Sequence, residues 1–374
     1  MKIGLVSGEF PPMPGGVGDF TRILGERLRE HGQDPHVLSR AGSTSDSLPV
    51  SAVSSWGPGC IPAVRAWIRQ NRIAVVNLQY QTAAYDMSPF IHVLPKTLSV
   101  PVVTTFHDLR HPYLFPKAGP LRDRIVMHLA RSSAGVICSN HEDDRRLQAL
   151  ANRRLIPIGS SVPSITDGAN DAAAWRRRAC PDDDAFLLGH FGFLKAIKGL
   201  DFLIEAMANL HAAGCKLRLL LIGGRSNTVD KSEDAAYLRR LEGRIQQLGL
   251  QDLVTWTGFL PDHELAACFQ AVDLMALPFT DGASFRRSSL IAALHNGCAV
   301  LTTEPAMNID IFRHASNLWL VPARSSAAIE KALRRLMRDP EQLTRLRAGA
   351  AELSAHFDWD VIARSTIDFL QSSI

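Results

Sequence analysis

The sequence predicts an α/β chain built of two doubly wound domains, each around a parallel sheet. Three observations lead there. Short Val-, Ile- and Leu-rich runs recur between amphipathic stretches, the rhythm breaks once between Ser160 and Asp184, and it then restarts in the same manner. A chain of 374 residues suits two domains of about 150 to 200 residues each.

In the first half, Lys2 to Ser7, Ala74 to Leu78, Val100 to Phe106 and Gly135 to Ser139 read as strands buried on both faces, since they carry apolar side chains without alternation. Asp19 to Gly32 reads as a helix, with Phe20, Ile23, Leu24 and Leu28 on one side, Arg22, Arg29 and Glu30 on the other, and Gly32 as its stop. From Ser160 to Asp184 the composition turns to Ser, Pro, Gly, Asp and Ala, with a short helical stretch at Ala172 to Ala179, which marks a connection. Strands then follow at Phe186 to Gly192, Leu217 to Ile222, Leu253 to Trp256, Leu274 to Leu277 and Ala299 to Thr302. Helices are expected at Leu200 to Ala212, Ala235 to Leu248 and Leu265 to Gln270. The expected division is an N-terminal Rossmann-like domain at 1–165, a linker region at 166–184, a C-terminal Rossmann-like domain at 185–355, and a closing segment at 356–374 whose helix, Trp359 to Leu370, packs back on the first domain. Two such domains are expected to face each other across a cleft at the carboxyl ends of their strands, where folds of this kind bind ligands.

Composition narrows the function classes. Hydrophobic residues make up 46% and charged residues 21%, as in globular proteins, which argues against a disordered or fibrous chain. No apolar run approaches the roughly 20 residues of a membrane span, and Glu9 interrupts the N-terminal run before a signal-peptide core forms. Cys60, Cys138, Cys180, Cys215, Cys268 and Cys298 are scattered without a Cys-x-x-Cys pair, so they read as reduced core residues in a cytoplasmic protein. The net charge of +4 is uneven, because residues 1–165 hold a surplus of six basic residues. That surplus suits an anionic ligand or an anionic membrane surface, or is an ordinary solvated face. Basic residues are not interleaved with aromatics and no base-reading motif is present, so nucleic acid is not an expected partner. No cluster with metal-ligand spacing is visible either.

After the first strand comes Pro11-Pro12-Met13-Pro14-Gly15-Gly16-Val17-Gly18, directly before a helix. Glycines there let backbone N–H groups approach a phosphate at the positive end of a helix. The spacing is neither Gly-x-Gly-x-x-Gly nor a P-loop, which weakens dinucleotide and ATP-hydrolysis readings.

This loop and its helix resemble the N-terminal loop of the GT-B glycosyltransferases of family 4. The second half strengthens the resemblance, with Gly192-Phe193-Leu194, then Lys198-Gly199-Leu200-Asp201, Leu219 to Gly224, Val254 to Leu260 with Glu264-Leu265, and Ala271 to Pro278 in the family's order. The likeness extends to Trp359 before the closing helix. It implies a two-domain GT-B fold and transfer of a sugar from a nucleotide diphosphate to a glycan, lipid-linked or small-molecule acceptor, with retention of anomeric configuration. It implies no metal, because cations and helix N-termini meet the leaving diphosphate. Lys198 matches the family's diphosphate-binding lysine, and His107, in Thr105-Phe106-His107-Asp108 at a strand end, matches the histidine that contacts the donor sugar. Asp108 is expected to orient His107; His111 and His190 are weaker candidates.

The departures from the family are as informative. Phe193 stands where the family's partner arginine would fall, and Ser284 and Ala292 occupy the two positions of its glutamate-x7-glutamate pair. Instead, Arg286 and Arg287 precede a helix that begins with Ser288 and Ser289, an arrangement expected to form an anion cradle, with Asp281 contacting sugar hydroxyls. The diphosphate is thus expected between Gly15, Gly16, Lys198 and the Arg286–Ser289 turn. Glu9 and Asp19 are candidates for acceptor hydroxyls, although charge at a helix start is sufficient reason for Asp19. Arg122, Arg124 and Arg131 form either a solvated face or a basic face for peripheral contact with the inner face of a membrane. The missing acidic pair leaves two other readings open, a nucleotide-sugar epimerase on the same scaffold and a catalytically silent binding or scaffold subunit.

Overall fold

A computed structural model of the protein describes every residue except 14, 110–118, 164–168, 183 and 224–231, and leaves out the side chains of 119–122, 169–170 and 232–234. The chain divides into two compact units, Met1–Ser161 with Phe357–Ile374, and Val162–His356.

The first unit is built on β1 (Lys2–Ser7), β2 (Asp34–Arg40), β3 (Val50–Val53), β4 (Val75–Tyr80), β5 (Val102–Phe106), β6 (Gly135–Cys138) and β7 (Arg153–Leu155). They form one parallel sheet in the order β3-β2-β1-β4-β5-β6-β7, so the direction of winding reverses between β1 and β4. The apolar runs read from the sequence are β1, β4, β5 and β6, which helices bury on both faces. By contrast β2, β3 and β7 carry polar residues, and β7 closes one edge with Arg153 and Arg154, charges that discourage further strand pairing.

The helix Gly16–Glu30 lays Phe20, Leu24 and Leu28 against this sheet. The closing helix Trp359–Ser372 contributes Ile362, Ala363, Ile367, Phe369 and Leu370 to the same cluster, beside Ile3, Leu5, Val103 and Ile137. Trp359 marks where the chain re-enters the first unit. Its indole Nε1 donates to the Ser160 carbonyl at 2.8 Å, and a Cβ on Gly159 would lie 2.4 Å from the indole ring, so glycine is required under it.

The second unit holds β8 (Phe186–Phe191), β9 (Leu217–Ile222), β10 (Val254–Trp256), β11 (Leu274–Leu277), β12 (Val300–Thr303) and β13 (Trp319–Val321). Its parallel sheet has the order β10-β9-β8-β11-β12-β13, with winding reversed between β8 and β11. Helices Leu200–Ala212 and Ser326–Leu336 cover one face through Leu203, Met207, Leu210, Leu333 and Leu336. The 166–184 segment contains the helix Ala169–Ala179, which belongs to this unit. Arg176 holds it there, donating to the Ala271 carbonyl and to the Asp273 carboxylate, both at 3.0 Å.

A backbone contact joins the ends of β8 and β11. Gly199 adopts φ +71°, and a Cβ there would sit 1.8 Å from the Pro278 carbonyl oxygen. The substitution Gly199→Ala is therefore expected to destabilise the second unit by about 2 kcal/mol or more, since positive-φ strain and a backbone clash add. Chemical denaturation checks this, and an unchanged unfolding midpoint would contradict it.

Candidate active site

The carboxyl ends of β8 and β11 gather a cationic cluster. After β8 the chain turns at Gly192, with φ +121°, where a Cβ would come within 3.4 Å of the Lys198 ammonium. A short 3-10 turn, Ala196–Lys198, then brings Lys198 back over the strand end, where its Nζ donates to Ser289 Oγ at 2.9 Å. Ser289 is buried in the first turn of the helix Ser288–His295, whose N-terminal flanking residue is Arg287. Phe279, fully buried just beyond β11, presents its ring to both cations: Lys198 Nζ is 5.1 Å and Arg287 Cζ 4.8 Å from its centroid. Arg287 also donates to the Asp281 carboxylate. The loop that carries Asp281 bends at Gly282, with φ +90°, where a Cβ would collide with the Glu304 carbonyl at 2.6 Å.

The electrostatics follow from this crowding. Burial pushes the Lys198 amine down from 10.5 to about 8; the neighbouring Arg287 adds to the shift, Asp281 opposes it, and Lys195 contributes further in the downward direction. Such a lysine is held ready for an anion. A negative group arriving beside it would restore its preference for the charged form and receive charge-assisted hydrogen bonds.

Of the residues singled out in the sequence, Lys198, Asp281, Arg287 and Ser289 come together here. Ser288 is exposed at the start of the same helix and Arg286 is half-buried in the preceding turn. Asp281 faces the Arg287 guanidinium. Ser284 and Ala292, at the positions of the absent carboxylates, are half-buried and buried respectively. Phe193 is 56% exposed and meets Phe259, 60% exposed, edge to face at 6.3 Å, so an open aromatic pair occupies the place expected for an arginine. His190 is a buried structural residue, its Nδ1 2.8 Å from the Ala276 carbonyl.

In the first unit, His107 follows β5 and packs edge-on against Phe20, with ring centroids 4.8 Å apart. Its Nε2 lies 2.9 Å from Gln79 Oε1, so with this amide orientation Nε2 carries the proton and Nδ1 is the acceptor. Burial pushes its pKa down to about 4, which keeps the imidazole neutral at physiological pH. Gln79 thus holds the ring at Nε2. The signal for it was the polar pair Asn77 and Gln79, which lie on the same side of an otherwise apolar β4 next to β5.

The glycine loop is occupied from within the chain. Glu9 Oε1 accepts the N–H groups of Val17 at 3.0 Å and Gly18 at 3.3 Å, and a Cβ on Gly15 would collide with the Glu9 carboxylate at 2.3 Å. Gly15 is thus needed for the approach of Glu9, and the helix start already faces a negative charge, while the space beside Gly16 is open. The Val17 and Gly18 amides, just past Gly15 and Gly16, therefore have a carboxylate partner. Arg124 and Arg131 are exposed on the helix Gly119–Ser132, whereas His111 and the Arg122 side chain lie outside the described residues. Among the described residues, no group of three or more His, Cys, Asp or Glu side chains is placed to hold a metal, and no helix is long and apolar enough to cross a membrane.

Comparison with known proteins decides the family. The family model described as Glycosyltransferase Family 4 matches residues 14–159, and that described as Glycosyl transferases group 1 matches residues 171–353. The chain belongs to the family 4 glycosyltransferases. It is an enzyme of the glycosyl-transferring class with the GT-B fold. It is similar to the phosphatidyl-myo-inositol mannosyltransferase of Mycobacterium leprae, at 26% identity over 97% of this chain and 94% of that protein. It is also similar to the alpha-D-kanosaminyltransferase of Streptomyces kanamyceticus, at 25% identity over 89% and 86%. Among solved structures, sucrose-phosphate synthase from Thermosynechococcus elongatus superposes with a TM-score of 0.79 at 20% identity, covering 99% of this chain and 98% of that one. The Anabaena protein HepE, in complex with UDP, gives 0.79 at 21% identity with full coverage of both chains.

Two consequences of the lysine's environment are measurable. Between pH 8 and 10.5 the unfolded chain binds more protons at this position than the folded one, so the unliganded protein is expected to gain stability as pH rises through that window. Lys198→Met is expected to stabilise it near pH 7. For ligand binding the direction reverses: affinity for a nucleoside diphosphate is expected to hold below about pH 8 and to fall about tenfold between pH 7 and pH 9 as the ammonium is lost. Calorimetric titration across that range checks it, and a flat profile would contradict it.

Proposed function

We propose that this glycosyltransferase moves a sugar from a nucleoside-diphosphate donor to an acceptor hydroxyl with retention of anomeric configuration. The observation that carries this is the convergence of Lys198 Nζ, Ser289 Oγ and the Arg287 guanidinium at the carboxyl ends of β8 and β11. Bond breaking at the anomeric carbon places negative charge on the leaving diphosphate, and fixed donors aimed at that charge lower the barrier. In this reading Lys198 and Arg287 meet the phosphate oxygens and Ser289 holds Lys198 while it waits. Arg286 and Ser288 line the same turn. Retention follows if the acceptor approaches from the side of the departing phosphate, whose oxygen takes the acceptor proton; no pair of flanking carboxylates is then required. For His107 the proposed role is acceptance of a sugar hydroxyl proton at Nδ1. Asp281, held by Arg287, is proposed to reach a sugar hydroxyl with its remaining lone pairs.

The reaction is read as metal-independent because two cationic side chains already supply the charge that a divalent ion would bring. Lipid-linked, small-molecule and glycan acceptors all fit this reading, which the similarity to a phosphatidyl-myo-inositol mannosyltransferase and to an alpha-D-kanosaminyltransferase supports. A cytoplasmic protein with peripheral membrane contact through the Arg124 and Arg131 face is consistent with a lipid-linked acceptor.

The test is a thermal-shift and calorimetric panel of UDP, GDP, ADP and their common sugar conjugates, followed by assay of nucleotide release with acceptors. One nucleotide is expected to bind, and at 100 times its dissociation constant to add about 2.7 kcal/mol of stability. Lys198→Ala is expected to lower kcat/KM by roughly 100-fold to 1,000-fold and Arg287→Ala by roughly 10-fold to 100-fold. Binding without turnover over a broad acceptor panel would favour a silent binding subunit, conversion of the donor without acceptor would favour an epimerase, and full activity in Lys198→Ala would overturn the site.

A further inference from the structure

Two cations stand against one buried ring in the second unit, and their polar neighbours treat them differently. Arg287 has the Asp281 carboxylate, whereas Lys198 has the neutral hydroxyl of Ser289 and, among the described residues, no carboxylate partner within ion-pair distance. Of these four side chains two are cationic and one is anionic, and it is Arg287 rather than Lys198 that takes the carboxylate. A carboxylate that held Lys198 in place would do so by neutralising it. The face of an aromatic ring attracts a cation through its quadrupole and leaves the charge intact, and both cations lie within the about 6 Å over which that attraction acts. The ring itself is fixed: Phe279 is fully buried, and its carbonyl accepts Thr303 Oγ1 at 2.7 Å, tying it to the end of β12.

We propose that Phe279 is the positioning residue of the anion site, holding Lys198 and Arg287 over its ring without neutralising them and so setting the affinity for the diphosphate. This rests on the donor reading above. Phe279 does not touch the ligand in this account; it acts through the two cations. Among the described residues, the titratable and charged groups that act on Lys198 are His190 on β8, Lys195 in its own loop, and Asp281 and Arg287 beyond β11, and all of them are left unaltered in the test below.

The experiment compares Phe279→Met, which keeps an apolar side chain without a ring, with Phe279→Tyr, which keeps the ring. Wild type is first titrated with UDP, GDP and ADP, and the nucleotide that binds is carried through the variants at several pH values. The Met variant is expected to bind about tenfold more weakly, while the Tyr variant stays within about threefold of wild type. The pH midpoint of binding is expected to move down by about half a unit in the Met variant, because the ammonium has lost a stabilising contact, and to return in the Tyr variant. If the Met variant fails to fold, a fluorinated phenylalanine incorporated at 279, which keeps the shape of the ring and drains its negative face, is expected to give the same weakening. Wild-type affinity and midpoint in the ring-less or fluorinated protein would overturn the proposal while leaving the donor reading intact. Equal weakening with an unmoved midpoint would overturn it too, because ordinary packing would then suffice. Failure of wild type to bind any of the three nucleotides would overturn the donor reading, and the proposal with it.

Discussion

Burying a lysine beside an arginine is the constraint on which the second unit's site depends. Lowering the amine from 10.5 to about 8 corresponds to about 3 kcal/mol against the charged form, a cost the fold accepts at a single point. The surrounding residues make it tolerable. Gly192 leaves room for the ammonium, Gly199 lets the chain pass against the Pro278 carbonyl, and Gly282 lets the Asp281 loop return beneath Glu304. Ser289 then supplies a hydrogen bond, Asp281 offsets the arginine, and Phe279 lies against both cations. A site that holds positive charge at a stability cost is organised for an anion that relieves it.

The first unit solves a different problem. A helix start rich in glycine attracts negative charge, and here Glu9 supplies it, bonded to the Val17 and Gly18 amides. His107 is kept neutral by burial and its tautomer is set by Gln79, so it is suited to exchange hydrogen bonds with a hydroxyl rather than to hold a phosphate. On the proposed reading, the electrostatic load of a leaving diphosphate falls on the cationic cluster of the second unit.

The fold was legible in the sequence wherever strands are buried on both faces: β1, β4, β5, β6, β8, β9 and β11 are predominantly apolar runs with only isolated polar residues, and that composition marks them. It was least legible at sheet edges. There β3 and β7 carry polar residues and β13 is only three residues long, and what places them is pairing with a neighbour rather than their own composition. The same holds for the site. Lys198 announces itself by family likeness, and Arg287 and Ser289 by residue type at a helix start. Phe279 reads as one more core aromatic until the two cations are seen against it, and Gln79 reads as a polar interruption of a strand until His107 is found beside it. The role of Glu9 was hidden for a similar reason, because its carboxylate bonds to backbone amides eight and nine residues away and no side-chain pattern records that.

The most direct test of the account is a crystal structure of the protein with the nucleoside diphosphate it binds. The account predicts phosphate oxygens within about 3.2 Å of Lys198 Nζ, with the Arg287 guanidinium and the Ser289 hydroxyl in the same cluster. A diphosphate bound at the Gly15–Gly16 loop after displacement of Glu9, out of contact with Lys198, would contradict it.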